Sequence, residues 1–116
     1  QARRIGAAMQ EAGLEIDRVW SSPYCRCLAT AEFMGVGPVE EMAALTSYEG
    51  LRAPEKTQAV IDRIAALPDD ETVLVVTHQV NLAALSGVVA EPGEVVIVAR
   101  GAEAPLIVLD RVLIAP

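Results

Sequence analysis

The sequence predicts an α/β fold, a three-layer α/β/α sandwich around a mostly parallel sheet whose N-terminal strand is missing. Three observations carry this. Two blocks of mainly β-branched residues, Thr72 to Thr77 (TVLVVT) and Glu94 to Ala99 (EVVIVA), read as strands buried on both faces, the pattern of parallel sheets. Segments with helical apolar spacing alternate with such blocks, as they do when helices cover both faces of a sheet. The first recognisable element is nevertheless a helix, where alternation of this kind would place a strand before it.

Residues 2 to 12 set Ile5, Ala8, Met9 and Ala12 at helical spacing, with Gly13 as a stop. Residues 18 to 21 (RVWS) read as a short strand. Ser22-Pro23 reads as a helix start, a serine cap with proline at the first helical position. That helix should run to about Met34 and end at Gly35 and Gly37. Residues 38 to 53 have no clear period and read as irregular. Pro54 opens a helix with Val60, Ile61, Ile64 and Leu67 on one face, closed by Pro68-Asp69-Asp70. After the 72–77 strand, Asn81 to Ser86 reads as a short helix ending at Gly87. Pro92-Gly93 is a turn into the second buried strand, and Leu106 to Leu109 (LIVL) is a last strand after Gly101 and Pro105.

The chain has 116 residues, which suits one domain and buries enough surface to need no staples. A hydrophobic fraction of 53%, with the apolar runs in short blocks, fits an α/β protein with a buried sheet better than a disordered chain. No apolar run approaches the ~20 residues of a membrane helix, so no membrane span is expected. With a net charge of -7 and nine basic residues in no cluster, a nucleic-acid backbone is not an expected partner. Cys25 and Cys27 lie one residue apart, which suits neither a disulfide framework nor a zinc site, and no metal is expected. No signal peptide is visible. The cytoplasm is the default compartment, and a periplasmic one would need a signal upstream of Gln1. Oligomeric state is left open.

In parallel sheets, ligands bind beyond the carboxyl ends of the strands. Two polar clusters fall at such ends, Ser21 to Arg26 and Thr77 to Asn81. Arg26 lies in the first turn of its helix, where the positive end of the macrodipole disfavours a cation. A bound anion would remove that conflict, receiving backbone N–H groups and a guanidinium fork together. The plainer reading is a surface arginine paired with a carboxylate such as Glu32. His78, the only histidine, is either a hydrogen-bonded core residue or a group that contacts a phosphoryl oxygen. Cys27 and Thr30 are expected to face helix packing. Glu40, Glu41, Glu49 and Glu94 are carboxylates that could supply a general acid.

The string Ser21-Ser22-Pro23-Tyr24-Cys25-Arg26-Cys27-Leu28-Ala29-Thr30-Ala31 resembles the serine-proline-arginine-threonine-alanine motif of the histidine phosphatase superfamily. Leu74-Val75-Val76-Thr77-His78-Gln79-Val80-Asn81 is similar to that superfamily's second histidine motif, and the 87–98 stretch resembles small bacterial, phosphoglycerate mutase-like members. The resemblance implies a phosphatase that hydrolyses phosphomonoesters through a phosphohistidine and needs no cofactor. It implies that Arg26 clamps the phosphate, that His78 contacts the same group as a second catalytic residue, and that Ser22 lines the pocket. Glu41, Glu49 and Glu94 remain the possible proton donors. The implied ligand is a phosphorylated small molecule such as a sugar phosphate; a lipopolysaccharide phosphate or a phosphoprotein is also compatible.

One departure is large. The nucleophilic histidine of that superfamily sits in an arginine-histidine-glycine motif at the end of the first strand, and no such motif occurs here. Gln1 to Ile5 resembles the helix that follows it, so the expectation is a truncated sequence, inactive alone. Gln79 stands where phytase-like members carry an acid. Two other readings stay open: a phosphoglycerate mutase-like transferase, disfavoured by the short insert between Gly37 and Pro54, and a non-catalytic anion-binding remnant.

Overall fold

The computed structural model describes residues 1–47, 53–100 and 106–114. Helix α1 spans Ala2–Glu11 and buries Ile5, Gly6 and Met9 on one face. Strand β1 is Arg18–Ser21, with Val19, Trp20 and Ser21 buried. Helix α2 is Cys25–Met34, ended by Gly35 in the left-handed region (φ 64), a conformation that needs no Cβ. Strand β2 is Val39–Glu41 and leads into a single 3₁₀ turn at Ala43–Leu45. Helix α3 (Ala53–Ala65), strand β3 (Val73–Val76) and helix α4 (Gln79–Ser86) follow. Strands β4 (Glu94–Arg100) and β5 (Leu106–Leu113) close the chain.

The fold is mixed α/β. Strands β2, β1 and β3 form a parallel sheet in that order, with Ser21 in register with both Glu41 and Val76. All three carboxyl ends therefore reach one edge of the sheet. Strands β4 and β5 form a separate antiparallel pair with an irregularity between Ile97 and Val98. The radius of gyration is 13.4 Å, against about 13 Å for a compact chain of this length.

Side chains alternate across β3, so its two faces meet different clusters. Val73 and Val75 pack with Trp20, Met42, Leu45, Val60 and Leu67, joined by Ile64 and Leu85. Leu74 and Val76 pack with Ile5, Met9 and Met34, joined by Val95 and Ile114. Thus α3 and α4 meet one face of β3, and α1 and α2 meet the other. Between α1 and α2 the approach is close: a Cβ on Gly6 would stand 1.9 Å from the Met34 carbonyl oxygen. Arg100 ties the β4–β5 pair to the end of α3, donating to the Leu67 carbonyl at 2.7 Å and the Pro68 carbonyl at 3.2 Å.

Several expectations need correction. The parallel sheet has three strands, and β4–β5 is a separate antiparallel ribbon rather than part of it. Helix α2 starts at Cys25, because the Ser22 hydroxyl faces His78 and the Tyr24 N–H instead of capping. Residues 39–45, expected to be irregular, hold β2 and the 3₁₀ turn. Both faces of β3 are packed, yet its four residues are only half-buried, since among the described residues it has a strand neighbour on one side alone. For β4, expected to be buried, Ile97 and Val98 are exposed, and Ile107 and Leu109 of β5 are too, because two strands cannot cover each other's faces. The Gly101 and Pro105 turn residues lie outside the described residues. Among the described residues no helix is long and apolar enough to cross a membrane.

Candidate functional site

The carboxyl edge of the parallel sheet gathers the two polar clusters. Ser22 leaves β1 and accepts no exposure at all; its N–H bonds the Val76 carbonyl at the end of β3. His78 follows β3 and sits at the amino end of α4, 8% exposed. Ser22 Oγ lies 2.9 Å from His78 Nε2, and Arg26 on the first turn of α2 places a guanidinium nitrogen 3.1 Å from His78 Nδ1. The three residues named from the sequence as Ser22, Arg26 and His78 thus meet in one hydrogen-bonded cluster. Arg26 bonds to His78 there.

The proton positions follow from chemistry. A guanidinium only donates, so Nδ1 is the acceptor and the neutral ring carries its proton on Nε2. Nε2–H then donates to Ser22 Oγ, which also accepts from the Tyr24 N–H at 3.3 Å. His78 in this tautomer cannot take a proton from Ser22, so the pair is not a serine–histidine nucleophile. Burial holds the His78 pKa below its ordinary value of 6.5, and the positive charges of Arg26 and then Lys56 push the same way.

That pair of causes is informative in a chain of net charge -7. Arg18, Arg63, Arg100 and Arg111 each pair with a carboxylate, Glu71, Glu40, Asp69 and Glu94 respectively. The charges that shift His78 are both cations. The site is a positive spot on an acidic protein, next to the amino end of α2, where backbone N–H groups are unspent. A depression of about 470 Å³ lined by Pro23, Tyr24, Cys25 and Arg26 opens beside it.

Several neighbours lie within or beside the polar clusters read from the sequence but were given no role at the site there. The Tyr24 ring stands edge-on to His78, centroids 4.7 Å apart. Cys27, expected in helix packing, is buried with its Sγ 3.8 Å from His78 Nε2. Thr30 donates back to the Arg26 carbonyl at 2.8 Å within α2. On the far side, Thr77 Oγ1 donates to the Leu45 carbonyl (2.7 Å) and Asn81 Nδ2 to the Thr46 carbonyl (2.9 Å). These bonds stitch Leu45 and Thr46 to the flanks of His78. The spacing of Asn81, three residues after His78 on a helix start, was the available signal; nothing in the sequence pointed to Lys56.

Of the carboxylates, Glu41 ends β2 in register with Ser21 and is exposed. Glu40 is bonded to Arg63. Glu94 is held by Arg111 and by the Glu91 N–H, which keep its carboxyl at about 2, so it stays ionised at neutral pH and accepts rather than donates. Glu49 lies outside the described residues. Among the described residues no three of His, Cys, Asp or Glu gather in a way that would hold a metal ion. No protein-family model, no curated protein and no solved structure matches the chain.

Proposed function

We propose that this chain carries the phosphoryl-binding part of a histidine phosphatase, with Arg26 clamping the phosphoryl oxygens, His78 contacting the same group and Ser22 fixing the His78 ring. The observation that carries the reading is the Ser22–His78–Arg26 cluster at the carboxyl edge of a parallel sheet, where the charges that act on buried His78 are those of two cations. An entering anion would draw the guanidinium from Nδ1; the ring proton would then move to Nδ1 while Nε2 accepts from the Ser22 hydroxyl, so that Arg26, His78 and a helix amino end all donate to the anion.

In this proposal the nucleophile is a histidine on a further strand ahead of α1. In the proposal this strand lies between β3, which has a strand neighbour on one side alone among the described residues, and β4; Leu74, Val76 and Val95 pack against one apolar cluster. The added strand would join the two sheets into one and complete a three-layer sandwich with α1 and α2 on one side and α3 and α4 on the other. Its carboxyl end would bring a histidine in line with the phosphoryl group, the arrangement that phosphoryl transfer requires. Hydrolysis then runs in two steps: the histidine takes the phosphoryl group while an acid protonates the leaving alcohol, and water attacks the phosphohistidine. Glu41, at the same edge of the sheet, is the carboxylate best placed among the described candidates. The ligand class is a phosphomonoester of a small molecule.

The test is anion binding, because the 116-residue chain should show only background turnover of p-nitrophenyl phosphate. Phosphate or vanadate titrated by NMR should bind, and Arg26→Ala should weaken binding by about 10- to 150-fold, the equivalent of a charge-assisted contact of about 1.5–3 kcal/mol. Equal affinity in Arg26→Ala would remove the basis of the proposal. Sustained turnover lost in His78→Ala would show that no second histidine is needed.

A further inference from the structure

Lys56 lies one turn into α3, and its ammonium donates to Thr46 Oγ1 at 2.6 Å and to the Ser47 carbonyl at 3.4 Å. Both acceptors are neutral, unlike the carboxylates that hold Arg18, Arg63, Arg100 and Arg111. The Thr46 carbonyl is in turn bonded by Asn81, one turn beyond His78. Lys56 is thereby tied to the flank of His78 through one backbone segment. Asn81 is 97% buried on the converse of its 3% exposure, and its Oδ1 has no hydrogen-bond partner among the described residues. A buried acceptor without a donor is rare and marks this flank as incomplete.

The two cations stand on helices that pack against different faces of β3. Arg26 comes from α2, which packs with α1 on the Leu74 and Val76 face of β3. Lys56 comes from α3, whose Val60 and Ile64 pack on the Val73 and Val75 face. A single phosphoryl group at the amino end of α2 is served by Arg26. The cation on the other face remains for a different group of the same ligand.

We propose that Lys56 is a specificity-determining residue of the His78 site, receiving a second negatively charged group, so that the preferred ligands are phosphomonoesters that also bear a carboxylate or a second phosphate. This rests on the phosphoryl-binding role of Arg26 and His78 proposed above. Lys56 would exchange its bonds to Thr46 and Ser47 for a charged oxygen, the stronger acceptor. Its charge helps to lower the His78 pKa, which places it within electrostatic reach of the site.

A matched pair of probes separates the two ideas: 2-phosphoglycolate, with a carboxylate, and ethyl phosphate, with a methyl group in its place. Both are titrated into the full 116-residue chain by NMR or calorimetry. The wild-type chain should prefer phosphoglycolate by about tenfold, the worth of one partly buried charge-assisted contact. Lys56→Gln should erase the preference and leave ethyl phosphate within about twofold, while Lys56→Arg, which keeps the charge, should retain it. Equal affinity of the wild-type chain for the two probes overturns the inference without any variant. So does a Lys56→Gln variant that weakens both probes alike, since Lys56 would then serve the phosphoryl group. Arg26→Ala should weaken both probes; if it weakens neither, the underlying phosphoryl site is what fails.

Discussion

Replacing Gly6 with alanine sets two effects of opposite sign against each other. Helix propensity favours alanine over glycine in the interior of α1 by about 1 kcal/mol. Packing opposes it. The new Cβ would stand 1.9 Å from the Met34 carbonyl oxygen, 2.8 Å from its carbonyl carbon and 2.9 Å from its Cα. These are backbone atoms and no rotamer relieves them, so α1 and α2 must part by about 1.5 Å to restore ordinary contact. Overpacking of this kind costs about 1–3 kcal/mol and sometimes more, and parting the helices also loosens Ile5, Met9 and Met34. The clash should win, with Gly6→Ala less stable by about 1–2 kcal/mol in urea unfolding followed through Trp20, the one tryptophan and a buried one. Because α2 also carries Arg26, phosphate binding should weaken by about an order of magnitude. A Gly6→Ala chain that is more stable than the parent by about 1 kcal/mol, as propensity alone requires, would refute the packing of α1 on α2.

Two further outcomes can be checked. Removing Arg26 should raise the His78 titration midpoint toward 6.5, readable without ambiguity from the ring proton of a single histidine; a midpoint that stays or falls would contradict the Nδ1 contact. Since the folded His78 binds its proton less readily than the unfolded chain does, its stabilising contribution is complete above pH ~6.5 and is lost as pH falls through that value toward the folded midpoint. Arg100→Ala should speed amide exchange in β4 and β5 by about tenfold, the worth of one or two lost hydrogen bonds, while β1 exchanges as before. Equal acceleration in β1 would mean that Arg100 supports the whole fold rather than the ribbon.

Much of the local structure was legible because single residues announce it. Gly35 and Gly87 take the left-handed conformation at helix ends, and Gly93 does so before β4. Val73 to Val76 pack on both faces as a β-branched run implies. Strand β2 was not legible: Val39-Glu40-Glu41 is three residues long, carries two charges and is held by pairing with β1, a partner distant in sequence. The partition of five strands into two sheets was equally hidden, because EVVIVA has the composition of a buried strand wherever it lies. At the site, Arg26 and His78 were singled out by position at a helix start and a strand end, whereas Ser22 was placed in the pocket only by the family resemblance. Lys56 was not singled out, since it enters through tertiary packing of α3 and a lysine near a helix start looks like any solvated one. Ser22 misled as a helix cap, because a hydroxyl beside proline is equally good at accepting a distant imidazole.

The pairing of β1 with β3 also dictates when the site can exist. The Thr72 N–H bonds the Asp17 carboxylate across 55 positions, whereas β4 and β5 are neighbours along the chain. A hairpin closes in about 1–10 μs once its residues are free. On a ribosome adding about 5–20 residues per second, β1 waits roughly 3–10 s for β3 to be made. Throughout that interval Val19 and Trp20, later the most buried apolar residues of the sheet, have no β3 to rest against. Ser22 and Arg26 likewise precede His78 by the same delay. The Ser22–Arg26–His78 cluster is therefore a late product of synthesis, and the nascent chain carries a sticky, half-made edge that chaperones would be the first to meet.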